Sequence, residues 1–94
     1  MSLEKVRSEI SSIDTGIIRL IARRQHLAEE VIRIKMQEGL PVHDENRTRQ
    51  VLEAAFNQAT ECKIDPAAVR EIFRILIGMS EDRQRGFSGE GNLP

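Results

Sequence analysis

The chain has no tryptophan and no tyrosine, and its only aromatic residues are three phenylalanines. Stacking platforms for single-stranded nucleic acid are therefore missing. An excess of one charge is missing too, since 14 Lys and Arg stand against 15 Asp and Glu for a formal net charge of −1. Nothing supplies the net positive field that phosphate backbones require, so no general nucleic-acid binding is expected. The single Cys62 cannot form an internal disulfide and has no metal-ligand spacing around it. A buried or half-buried thiol without a chemical role is expected there. No apolar run is long enough to span a membrane and no signal-peptide pattern is visible, so a cytoplasmic protein without membrane contact is expected. Glycine-rich phosphate loops, His/Cys metal spacings and nucleophile elbows are absent as well.

What the chain does have is helical periodicity. From Leu3 to about Glu38, apolar residues at Leu3, Val6, Ile10, Ile13, Ile17, Leu20, Leu27, Val31 and Ile34 follow the three-and-four spacing of one helix face. The beat after Leu20 falls on Arg24, a permanent cation in a seam otherwise given to packing. Lys35 lies eleven residues further on, which returns it to within about 20° of the same face, about 16 Å along the axis. Both charges are expected to point toward whatever the helix packs on. A helix of about 36 residues is roughly 54 Å long, whereas a compact domain of this size has a radius of gyration near 13 Å. One copy cannot cover its own first helix, so at least a dimer is expected.

Gly39 and Pro41 mark the end of this helix. Asp44-Glu45-Asn46 then offers an N-cap and early acidic charge to a second helix, expected from about Asp44 to Cys62 with Val51, Leu52, Ala55, Phe56 and Ala59 on its apolar face. Asp65-Pro66 opens a third, carrying Val69, Ile72, Phe73, Leu76, Ile77 and Met79 and expected to fade near Arg85. Continuing its stripe at the same spacing reaches Ser80 and Gln84, two uncharged polar groups where apolar ones belong. The glycine-containing segment 86–94 has no periodicity and reads as a flexible tail to a single domain over 1–85.

Taken one at a time these polar residues have ordinary explanations. Arg24 can reach the surface or pair with Glu30; Lys35, Arg47 and Arg49 can be solvated; Ser80 and Gln84 can be satisfied core groups. His26 and His43 read as surface residues, since neither has a partner at a telling spacing. Burying cations is costly unless they are paired. Arg24, Lys35, Arg47, Ser80 and Gln84 converging on one helix-lined cavity would suit a small polyanion such as a dicarboxylate. Periodicity does not name that ligand.

The pieces VRSEISSID, with Arg7 and Asp14; LIARRQHLAEEV, with Arg24; the following Lys35; LPVHDENRTR, with Asp44 and Arg47; and FRILIGMSEDRQ, with Ser80 and Gln84, together resemble the all-helical chorismate mutase family. The resemblance runs from about Glu4 to Arg85, with the spacing between pieces needing no gap. It implies an all-α fold of three helices per chain, with long first helices pairing antiparallel in an intertwined homodimer that has two equivalent sites. The implied activity is the rearrangement of chorismate to prephenate, the branch step toward phenylalanine and tyrosine, with no metal or organic cofactor. By the same resemblance Arg24, Arg47 and Ser80 would hold the substrate's carboxylates, with Arg7 from the neighbouring subunit. Lys35 and Gln84 would hydrogen-bond the ether oxygen, and the Asp44 region would meet the ring hydroxyl. Geometry independently favours Arg7 acting in trans, because seventeen residues place it roughly 25 Å from Arg24 along one helix.

One residue departs from the family pattern. Many members have a Glu one position after the second-helix Arg, whereas this chain has Thr48, with a shorter reach and no charge. Relatives of the fold that eliminate pyruvate from isochorismate, or act on an amino analogue of chorismate, supply the nearest alternative activity. A non-catalytic helical dimerisation module is the alternative of another class.

Overall fold

The computed structural model describes residues 2–88 and consists of three α-helices: α1 (Leu3–Glu38), α2 (Glu45–Glu61) and α3 (Pro66–Ser88). No strand occurs among the described residues. Each boundary has a local chemical cause. Ser2 caps α1 by accepting from the Lys5 amide, and Gly39 ends it in the left-handed conformation at φ 68°, where a side chain would be strained. The Gly39 and Leu40 amides both donate to the Lys35 carbonyl, which closes the last turn. Asp44 is the N-cap of α2, its Oδ1 accepting from the Arg47 amide at 3.1 Å. Asp65 accepts from the amides of Ala67 and Ala68 just ahead of α3.

α3 is the central helix. It packs on α1 and on α2, whereas α1 and α2 do not pack on each other. Ala28 and Ile32 are the buried residues of α1, and the Arg83–Glu29 ion pair at 2.9 Å joins α3 to the same stretch. Ala55 and Ala59 are buried on α2, small enough for the two helices to approach closely, and Arg70 of α3 lies over the Phe56 ring at 5.1 Å.

Three expectations need adjusting. α3 continues to Ser88, past the expected fade near Arg85; the remainder of the expected tail lies outside the described residues. Cys62, expected to be at least half-buried, is exposed at the C-cap of α2. The face of α1 that packs within the chain is also rotated from the periodic seam. Ala28 and Ile32 are buried, while the seam residues Leu27, Val31 and Ile34 stay exposed. A one-residue step turns a helix by about 100°, so the seam and the intrachain contact are neighbouring stripes rather than one.

The chain is extended, 54 × 25 × 23 Å, with a radius of gyration of 16.5 Å, against about 12 Å for a compact chain of this length. The N-terminal half of the seam has no cover. Leu3, Val6, Ile10, Ile13, Ile17 and Leu20 are between 36% and 64% exposed. No helix among the described residues is long and apolar enough to cross a membrane.

Candidate active site

Because α1 and α2 diverge on either side of α3, a cleft opens between them with α3 as its floor. Its volume is about 300 Å³, and Arg24, Lys35, Asp44, Arg47, Thr48, Ser80 and Gln84 all line it. Seven of the eight site residues expected from the sequence are therefore brought to one cavity by a single chain. The eighth, Arg7, is exposed and is not among the lining residues.

Each side chain is aimed by its element. Arg24 reaches across to α3, where its guanidinium donates to the Leu76 carbonyl at 3.0 Å and to the Ser80 hydroxyl. Ser80 Oγ in turn donates to the same Leu76 carbonyl at 3.1 Å. The pairing of Arg24 with Glu30 considered from the sequence does not form; Glu30 binds Arg33 instead, at 2.6 Å. Arg24 has no carboxylate partner among the described residues. Partial burial, and secondarily the charge of Arg47, push its pKa below the ordinary arginine value. Two guanidiniums facing one cavity repel each other, which an anionic guest would relieve.

At the other end of the cavity the Lys35 ammonium donates to the Val42 carbonyl at 2.6 Å and to Gln84 Oε1 at 3.3 Å. Gln84 is the one buried polar residue among those described, 6% exposed. With its oxygen engaged by Lys35, its amide presents N–H groups as the remaining donors. Arg47 is placed through its backbone, since Asp44 fixes the first turn of α2. Apolar walls come from Leu27, Ala28, Val31, Val51 and Ile77.

Sequence reasoning missed two residues here. His43, read as a surface residue without a partner, has both ring nitrogens against carboxylates: Nδ1 is 2.7 Å from Glu81 Oε1 and Nε2 is 2.8 Å from Glu45 Oε2. Glu81 itself lines the cavity. The Glu81 contact joins residues 38 positions apart, a separation at which helical periodicity carries no information. His26 is exposed, as expected.

Fold and site define an all-helical protein whose cleft offers fixed cations and amide and hydroxyl donors. The family profile of chorismate mutase type II matches residues 6–85. The chain is similar to the chorismate mutase of Methanocaldococcus jannaschii, 33% identical over 88 residues that cover 94% of this chain and 89% of that protein. It is also similar to part of the T-protein of Haemophilus influenzae, at 32% identity over 92% of this chain but only 23% of that longer protein. Among solved structures, a conserved hypothetical protein from Pyrococcus furiosus superposes with a TM-score of 0.71 at 35% identity, covering 88% of this chain and 95% of that one. The chain belongs to the chorismate mutase type II family and is an enzyme of the isomerase class.

Proposed function

We propose that the protein converts chorismate to prephenate, in the supply of phenylalanine and tyrosine, by restraining the substrate and stabilising its breaking ether bond. The observation that carries this reading is the convergence of Arg24, Lys35, Arg47, Ser80 and Gln84 on one cavity. The reaction is an intramolecular rearrangement, so no nucleophile is needed, and the task is to hold the enolpyruvyl arm over the ring. Arg24 and Arg47 are the forks for the two carboxylates, with Ser80 held beside Arg24 as a further donor. Negative charge grows on the ether oxygen as the C–O bond breaks ahead of C–C bond formation. Lys35 and the Gln84 amide are the donors that meet it, and preorganised donors of this kind contribute about 3–4 kcal/mol each.

Assembly is the second part of the proposal. The uncovered stripe from Leu3 to Leu20 is apolar over about 25 Å, and the α2–α3 pair carries an open groove lined by Val51, Ala55, Ala59, Val69 and Phe73. A second copy laying its α1 antiparallel along the first would cover both and bring its own Arg7 to this cavity, completing the carboxylate site in trans.

The test is to add chorismate to pure protein without cofactor and follow loss of the enol-ether absorbance, then to show that acid converts the product to phenylpyruvate. Lys35→Ala should lower kcat by about 10²–10³-fold with the far-UV circular dichroism unchanged. A Lys35→Ala enzyme with the wild-type rate would remove Lys35 from the ether oxygen. Thr48 lines the cavity where many members have a carboxylate, so isochorismate and the amino analogue belong in the same assay. Turnover confined to one of those would replace the proposed substrate.

A further inference from the structure

A cavity built for a doubly negative guest contains carboxylates of its own. Its charged lining residues are the cations Arg24, Lys35 and Arg47 and the carboxylates Asp44 and Glu81. One chain therefore offers a net of one positive charge to two negative ones. Asp44 is engaged as the cap of α2. Glu81 follows Ser80 directly on α3 and precedes Gln84 by one turn, and all three line the same cavity.

The nearest cationic group to that charge is His43, with Arg85 further off. The ring stands between Glu81 and Glu45, with both nitrogens within hydrogen-bond distance of acceptors. Ionised carboxylates only accept, so both nitrogens must donate, and the geometry is that of an imidazolium. Around it are Glu81 and Arg85 on α3, with Arg85 Nη1 3.8 Å from the other Glu81 oxygen; Glu45 and the cap Asp44 at the start of α2; and Lys35 on α1, bonded to the carbonyl of the preceding Val42. His43 also belongs to the α1–α2 connection, so the same contact ties that segment to α3. The hydrogen bond to Glu81, then that to Glu45, raises the proton affinity of the ring above its ordinary value.

We propose that His43 is a positioning residue: its positive charge neutralises Glu81 and latches the α1–α2 connection to α3, so the cavity admits a dianion while His43 is charged and resists one when it is neutral. The identity of the dianion rests on the rearrangement proposed above. The arrangement of charges belongs to the single chain. With Glu45 and Arg85 counted alongside the lining, the charges sum to two net positive while His43 is protonated and to one when it is neutral, when Glu81 faces Arg85 alone. Because the pKa is raised, the change falls above about pH 6.5.

KM and kcat for chorismate measured from pH 5.5 to 9 test this. KM should be flat at low pH and rise about two- to fivefold through the titration of His43, an exposed and solvent-screened charge, while kcat changes little. His43→Arg should hold KM low across the range, Glu81→Gln should flatten the profile at a low KM, and His43→Gln should hold KM high throughout. Proton NMR reads the ring without substrate: the His43 midpoint should be higher in the wild type than in Glu81→Gln. Inorganic sulfate, followed by amide shifts at pH 6 and pH 9, is a divalent-anion probe and should bind more weakly at pH 9 except in His43→Arg. Equal His43 midpoints in the wild type and Glu81→Gln, or sulfate binding and KM independent of pH in the wild type, would overturn the inference. A protein that fails to turn over chorismate but shows the histidine and sulfate effects would overturn the rearrangement and leave the latch standing.

Discussion

At the residue scale, the carboxylate-binding role proposed for Arg24 pulls against its place in the fold. The side chain is a partly buried cation with neutral hydrogen-bond partners and a second guanidinium nearby, whose charge further lowers its proton affinity. Removing such a charge relieves the folded state, because desolvation and like-charge repulsion both disappear. Arg24→Leu is therefore expected to raise the melting temperature by a few degrees. Partial exposure limits the gain to about 1 kcal/mol or less, while kcat/KM for chorismate should fall by at least about 100-fold with the loss of a bidentate carboxylate fork. Calorimetry and the rate assay on the same sample check both halves. A variant more stable and fully active would remove Arg24 from the substrate's carboxylates. The anomaly at position 24 was legible in the sequence because it broke a periodic pattern. Glu81 broke no pattern, being one more acidic residue in a charged stretch, and only the contact with His43 gives it a role.

At the element scale, the helix ends position the site as much as the helix faces do. Gly39 turns the chain back at the end of α1, so that Val42 returns to meet the Lys35 ammonium. Asp44 then starts α2 with the Arg47 amide bonded to its side chain. Asp44→Ala should cost about 1 kcal/mol as a lost N-cap, and it should also weaken substrate binding by loosening the turn that carries Arg47. Asp44→Asn keeps a capping oxygen and should restore most of the stability in a denaturant titration. Binding recovered along with stability would assign Asp44 to placement of Arg47; stability without binding would assign its charge to the ring hydroxyl. These caps were readable as Gly, Pro and Asp at fixed offsets from the apolar runs. The extension of α3 to Ser88 was not, since Gly86 looks like a stop signal and tertiary support decides whether it acts as one.

At the scale of the whole molecule, the exposed α1 stripe and the remote Arg7 lead to a complementation experiment. Arg7→Ala and Lys35→Ala should each be inactive alone. If Arg7 acts in trans, a mixed dimer of the two contains one site with both wild-type residues, and two-fold symmetry gives about a quarter of wild-type activity in an equal mixture after subunit exchange. If Arg7 acts within its own chain, every site in the mixture carries one lesion and activity stays at the level of the single variants. Sedimentation of each variant checks that it assembles as the proposed dimer.

The sequence by itself determined the three helices, the caps at Gly39, Asp44 and Asp65 and the set of polar residues that interrupt apolar faces, because helix periodicity and capping are local and leave marks within a few positions of their cause. Only the tertiary structure decided that α3 lies in the middle, that the intrachain face of α1 is the stripe beside its seam, and that a histidine in the α1–α2 connection meets two glutamates, one of which lines the cavity. Those outcomes depend on contacts between residues tens of positions apart. Such contacts are set by how side chains of three helices fit together, and no periodic pattern along one helix encodes that fit.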